Sequence, residues 1–63
     1  MMSYPEQKTL VLRARHSVSP DKASFFFRSV NELVRQGQVL YAVRNQVRAE
    51  LKARGCSLPR RAR

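Results

Sequence analysis

Three consecutive phenylalanines, Phe25, Phe26 and Phe27, constrain the fold of this chain more than any other feature. A helix advances about 100° per residue, so it can turn only part of such a run towards one core. Phe25 falls among polar residues, whereas Phe26 and Phe27 fall on a broad apolar stripe with Ala23, Val30, Leu33 and Val34. We therefore expect Phe25 either to contact another molecule or to be a singly exposed side chain.

Start and stop signals around this run predict two helices, over about residues 20–36 and 38–54. Ser19, Pro20 and Asp21 favour a helix start, because they supply a cap, a preset φ and a negative charge near the positive end of the helix dipole. Gly37 and Gly55 follow the two periodic segments, and glycine commonly ends helices. The second helix is predicted to meet the first through Val39, Leu40, Val43, Val47 and Leu51.

The segment "KTLVLRAR" alternates well enough to predict a short strand at about 8–14. Leu10 and Leu12 would share one face of it, and the other face would carry Thr9, Val11, Arg13 and Arg15. A disordered arm is the alternative. The predicted fold is thus mostly α, with two helices after a short N-terminal strand. Residues 1–7 are predicted to be a flexible leader, residues 8–55 a single small domain, and residues 56–63 a basic flexible tail.

The chain has 63 residues and one cysteine, Cys56, so no disulfide can form within it. A core of this size is usually marginal without a disulfide, a metal or a partner. A strand without a pairing partner and an outward Phe25 add to this need, so we expect a homodimer. We also expect a cytoplasmic protein, with no membrane contact, because no apolar run could span a bilayer and no secretory signal is present.

Thirteen Lys and Arg residues face four Asp and Glu, and residues 35–63 hold eight of these cations but one acid. Such a balance favours a polyanionic partner, either a nucleic acid or an acidic protein surface. On the second helix Arg44, Arg48 and Lys52 follow one another at i, i+4 and i+8, beside Tyr41. An anion could relieve their repulsion, although a solvated charged face is the alternative.

Catalytic chemistry has no recognisable basis in this sequence. Four scattered acids, one histidine, His16, and one cysteine form neither a nucleophile with its base nor a set of metal ligands. We therefore predict that the protein is not an enzyme and takes no cofactor or metal.

The strand "KTLVLRA", the helix that begins at Pro20, the turn at Gly37 and a second helix with "AVRNQVRAEL" resemble the ribbon-helix-helix family of dimeric DNA-binding repressors. The resemblance covers roughly residues 8–54. It implies that two chains pair their strands into a ribbon, that Thr9, Val11 and Arg13 contact bases, and that Leu10 and Leu12 face the shared core. It also implies a phosphate contact at Gln38. The function implied is that of a dimeric DNA-binding transcriptional regulator.

A second hypothesis is a small helical adaptor or inhibitor, of the sort that phages and mobile elements encode. It would bind an acidic host protein through Phe25 and the basic face of the second helix, with Ala42 and Ala49 allowing another helix to approach closely. A weaker third hypothesis is non-specific RNA binding, because charge alone does not separate DNA from RNA. The residues predicted to contact nucleic acid also include Arg15, Arg60 and Arg61.

Overall fold

A computed structural model describes residues 1–58 of the chain. These residues form three helices, α1 (Tyr4–His16), α2 (Ala23–Arg35) and α3 (Tyr41–Ala53), and they contain no strand. The predicted architecture of two helices after an N-terminal strand is therefore wrong. α3 is the central element, because it packs against both of the other helices, while α1 and α2 touch each other much less.

Residues 8–14, predicted to be a strand, lie inside α1. Pro5 lies at the start of this helix, where it costs no hydrogen bond, and Glu6 adds a negative charge to the first turn. The residues of α1 that are fully buried are Gln7 and Ala14, two turns apart. One is polar and the other small, so the apolar residues of the segment mark the buried face only in part, through the half-buried Leu10 and Val11.

α2 begins at Ala23, three residues later than predicted. Pro20, Asp21 and Lys22 form a turn in which the Lys22 N–H donates to the Ser19 carbonyl oxygen at 3.0 Å. The phenylalanine run divides as helical geometry requires: Phe27 is 1% exposed and Phe25 is 75% exposed, with Phe26 between them.

Glycine ends the predicted helices where expected, because Gly37 (φ 76°) and Gly55 (φ 80°) both adopt the left-handed conformation just beyond α2 and α3. Both helices are shorter than predicted at their N-terminal ends. α3 begins at Tyr41 and not near residue 38, because Leu40 is still extended.

The core forms where all three helices meet. Phe27 and Val30 of α2 pack with Val47 and Leu51 of α3, and Ala14 closes the α1 side. Val18, Ala23 and Cys56 complete the cluster from the connections and helix ends. The absence of a side chain beyond Cβ at Ala14 allows α1 to lie close to the others.

Hydrogen bonds from side chains to the backbone hold α1 against the rest. The Gln7 side chain donates from Nε2 to the Met2 carbonyl oxygen at 2.8 Å, and its Oε1 accepts from the Leu40 N–H at 3.0 Å. At the other end, Arg54 Nη1 donates to the carbonyl oxygens of Ala14 at 2.8 Å and Val18 at 2.6 Å. Both ends of α1 are thus tied to residues that flank α3.

Residues 4–7, expected to belong to a flexible leader, form the first turn of α1, and the Met2 N–H donates to the Gln38 carbonyl oxygen. The basic tail predicted over 56–63 lies mostly outside the described residues. No helix in residues 1–58 has the length and apolar character needed to cross a membrane.

Replacing Gln7 with Ala should lower the free energy of unfolding by about 2 kcal/mol. The change leaves the Met2 carbonyl and the Leu40 N–H without their partner. Each such loss costs about 1–3 kcal/mol, and the low end applies here because both hydrogen bonds are only part-buried. Urea unfolding followed by circular dichroism measures the effect. The matched control is Gln46→Ala, the same substitution at an exposed site of α3, which should be near neutral. Equal stability of the two variants would contradict the role assigned to Gln7.

Candidate polyanion-binding surface

One side of α3 faces away from the rest of the molecule. We call it the α3 face, and all of its residues are exposed: Tyr41, Ala42, Asn45, Arg48, Ala49 and Lys52. They recur at helical spacing and extend for about 17 Å along the axis. The face therefore combines two cations with two alanines that let another surface come close to the helix backbone.

Arg44 does not belong to this face, although its spacing had grouped it with Arg48 and Lys52. Its Nε donates to Asn31 Oδ1 on α2 at 2.8 Å, and its guanidinium lies 4.9 Å from the ring centre of Phe27 and 5.2 Å from that of Tyr41. These contacts join α3 to α2. The Arg44 Nη1 also donates to Asn45 Oδ1 at 2.9 Å. Arg44 thus stabilises the packing of α3 against α2.

The acid of α3, Glu50, points away from the α3 face towards α1. It accepts two hydrogen bonds from Arg15, Nε to Oε2 at 2.8 Å and Nη2 to Oε1 at 3.0 Å. Within residues 1–58, by contrast, neither Arg48 nor Lys52 has an ion-pair partner. The α3 face therefore keeps its positive charge. Arg15, one of the predicted nucleic-acid contacts, instead forms an ion pair with Glu50.

Hydrogen bonding lowers the pKa of two carboxyl groups. The Arg15 side chain, first by its hydrogen bonds and then by its charge, holds the pKa of Glu50 below its usual value. Glu50 in turn raises the pKa of Arg15. The Ser19 hydroxyl likewise lowers the pKa of Asp21, together with the Asp21 backbone N–H. Both carboxylates are thus stabilised in their charged form by the fold.

The three predicted base contacts, Thr9, Val11 and Arg13, do not share a face. Residues two apart in a helix differ by about 200° in direction, so Thr9 and Val11 point to nearly opposite sides. Val11 packs against the core, the Thr9 hydroxyl donates to the Pro5 carbonyl oxygen, and Arg13 lies over the Phe26 ring. A paired ribbon needs a strand that these residues do not form, and we do not propose one.

The predicted interface residues are likewise distributed. Leu10 packs against the core from the α2 side of α1, whereas Leu12 is half exposed on another side. Phe25 is outward on α2, while Tyr41, Ala42 and Ala49 fall on the α3 face. The structure thus separates a set on α3 from Leu10 and Phe25.

Gln38 was expected to offer its backbone to a phosphate. Its N–H already donates to the Leu33 carbonyl oxygen at 2.8 Å, as part of the turn that ends α2. Arg60 and Arg61 lie outside the described residues. Sequence reasoning missed Asn45, which its spacing from Tyr41 and Arg48 could have placed on the α3 face.

Within residues 1–58, no three histidine, cysteine or acidic side chains come together as a metal site would require. That the protein is not an enzyme and uses no cofactor stays a prediction.

Comparisons with protein-family models, curated proteins and solved structures gave no match. They leave the resemblance to ribbon-helix-helix proteins untested.

The lowered pKa of Glu50 predicts how acid affects stability. A carboxyl group whose pKa is lower in the folded state stabilises the fold fully above its unfolded pKa, and this stabilisation disappears as the pH falls through the folded pKa. Glu50→Gln should therefore reduce the loss of stability between about pH 5 and pH 2. Urea unfolding at a series of pH values measures this dependence.

Asp21→Asn is the matched control, because it removes the contribution of Asp21 to the pH dependence of stability and leaves the contribution of Glu50. The double variant should show a flatter profile than either single variant. A Glu50→Gln profile that coincides with that of the wild type would show that the Arg15 contact does not lower the Glu50 pKa.

Proposed function

We propose that this protein binds duplex DNA by placing the α3 face in the major groove. The observation that carries the proposal is the charge of that face: Arg48 and Lys52 are exposed, and the carboxylate of Glu50 is turned away to Arg15. Cations arranged in this way can neutralise phosphates and release condensed counterions, which is the main source of non-specific affinity for DNA.

Shape favours DNA over RNA. The major groove of B-DNA is about 12 Å wide and admits a helix, whereas the major groove of an RNA duplex is deep and too narrow for side chains to enter usefully. Small Ala42 and Ala49 permit close approach of α3, and Tyr41 and Asn45 lie near its N-terminal end, the part that usually contacts base edges.

A glycine-containing turn before an exposed helix is a common way to present a helix to DNA. Here Gly37 lies in the turn between α2 and α3, and Arg44 fixes the orientation of α3 through Asn31 and Phe27. We also propose a regulatory role in the cytoplasm, in which the bound protein occupies a site on DNA. The homodimer expected from the sequence stays a prediction, which sedimentation equilibrium can test.

The double variant Arg48→Gln/Lys52→Gln should weaken binding to a 16-base-pair DNA duplex. Each phosphate contact contributes about 0.9 to the slope of log affinity against log salt, so the slope should become shallower by about 2. Fluorescence anisotropy at several salt concentrations measures the slope. The control Lys8→Gln/Lys22→Gln removes the same charge from sites outside α3 and should leave the slope nearly unchanged. An RNA duplex should bind more weakly than DNA.

A neutral substitution tests insertion of the helix separately from charge. Ala49→Leu enlarges the α3 face and should reduce DNA affinity, whereas Thr9→Leu, at an exposed position of α1, should not. Equal slopes for the two charge variants would show that net charge alone causes binding. No DNA binding even at low salt would overturn the proposal.

A further inference from the structure

A groove separates α1 from α2. Each of these helices packs on α3, and because they touch each other little, a space of about 570 Å³ opens between them. It is lined by Leu10 and Arg13 of α1, by Ser17, Val18, Ser19 and Lys22 of the connection, and by Phe25, Phe26, Ser29, Val30 and Leu33 of α2. None of these residues belongs to the α3 face.

The groove is apolar over most of its surface. Val18 and Val30 are buried at its base, Leu10, Phe26 and Leu33 are half-buried along its sides, and Phe25 stands largely in solvent at its edge. Covering apolar surface of this kind contributes about 25 cal/mol for each Å² removed from water. An apolar occupant would therefore be favoured, and Phe25 would gain most from it.

The charges along the groove are positive. Arg13 and Lys22 both line it, and the Arg13 guanidinium lies 5.9 Å from the ring centre of Phe26, which keeps this cation beside the apolar surface. In the described part of the chain, no acidic side chain lines the groove. Asp21 is next to Lys22 in sequence, but it is not among the residues that line the groove. The occupant should thus carry negative charge.

The volume and the positive charge of the groove limit which kind of molecule can bind there. A helix is about 10–12 Å across, so a space of 570 Å³ accepts a few of its side chains and not the helix itself. A second copy of this chain would bring its own net charge of +9 to a positive groove, which disfavours it. Helices commonly dock on such grooves through apolar anchors spaced i, i+3 or i+4, and i+7.

We propose that the groove between α1 and α2 binds an acidic amphipathic helix of another protein. Two or three apolar side chains of that helix enter the groove against Phe25, Phe26 and Leu33, and its carboxylates meet Arg13 and Lys22. This interaction uses a different surface from the proposed DNA binding, because the groove and the α3 face share no residue.

A panel of labelled helical peptides tests the proposal. Each peptide carries leucines at i, i+3 or i+4, and i+7 with glutamates beside them, and a second set carries lysines in place of the glutamates. Fluorescence anisotropy with the wild-type protein should show binding by the glutamate peptides and none by the lysine peptides. Binding by both sets with equal affinity would overturn the assigned chemistry.

Substitutions locate the binding site. Phe25→Ala should weaken the best glutamate peptide by about 30-fold, the effect typical of an aromatic anchor at an interface. The matched control is Tyr4→Ala, which removes another exposed aromatic side chain outside the groove. Arg13→Gln/Lys22→Gln should weaken the peptide and flatten its salt dependence, whereas Lys8→Gln/Lys52→Gln should do neither. Phe25 is exposed, so Phe25→Ala should fold normally, as circular dichroism can verify.

Three results would overturn the proposal. The first is no binding by any glutamate peptide up to millimolar concentration. The second is peptide binding that Phe25→Ala leaves unchanged. The third is self-association of the protein that sedimentation equilibrium detects and that Phe25→Ala abolishes. This result would show that a second copy of the chain binds in the groove. The Arg48→Gln/Lys52→Gln variant should keep full peptide affinity, so failure of DNA binding and failure of peptide binding are distinguishable.

Discussion

Side-chain hydrogen bonds fix the position of α1, in addition to the packing of Leu10 and Val11 against the core. Its fully buried side chains are Gln7 and Ala14, which offer little hydrophobic surface. Gln7 therefore bonds both the N-terminal backbone and Leu40 just before α3, while Arg54 just after α3 bonds the last turn of α1. α1 and α2 each pack along α3 and touch each other much less, and the groove lies between them.

The same arrangement sorts the cations of the chain into two groups. Arg15, Arg44 and Arg54 bond partners within the fold, so their charges are partly satisfied and their positions are fixed. Arg48 and Lys52 are exposed on α3 and have no such partners in the described residues. A regular spacing of basic residues therefore does not define one surface, because adjacent turns of α3 face different neighbours.

Helices α2 and α3 were predictable because their apolar residues repeat at helical spacing and a glycine follows each of them. The division of the phenylalanine run followed from the same geometry, and it left Phe25 outside. The starts of both helices were placed too early. The residues after Ser19 form a local backbone turn before α2, and the extended Leu40 bonds the distant Gln7. The sequence also could not show that Arg44 turns towards Asn31.

The strand prediction failed for a different reason. Alternation over a few residues in "KTLVLRAR" competes with a helical pattern whose inward positions are Gln7, Leu10, Ala14 and Val18. This helical pattern is hard to recognise in the sequence, because one of its inward residues, Gln7, is polar and another, Ala14, is small. Gln7 is buried because it accepts a hydrogen bond from the backbone N–H of Leu40, 33 residues away. A local signal did exist: Ser3, Pro5 and Glu6 stand where a helix start favours them, and the Ser3 hydroxyl donates to the Glu6 carboxylate at 3.0 Å.

If both proposed surfaces are used, they can interact only through charge or through the shared core. The groove and the α3 face have no residue in common, so one occupant does not displace the other. An acidic helix in the groove would lower the positive field that attracts DNA. The molecule measures 30 × 29 × 16 Å, however, and salt at physiological concentration screens exposed charges beyond about 8 Å. Electrostatic coupling between the surfaces should therefore be strong at low salt and weak in the cell, where any larger effect would have to pass through α3, the helix against which both α1 and α2 pack.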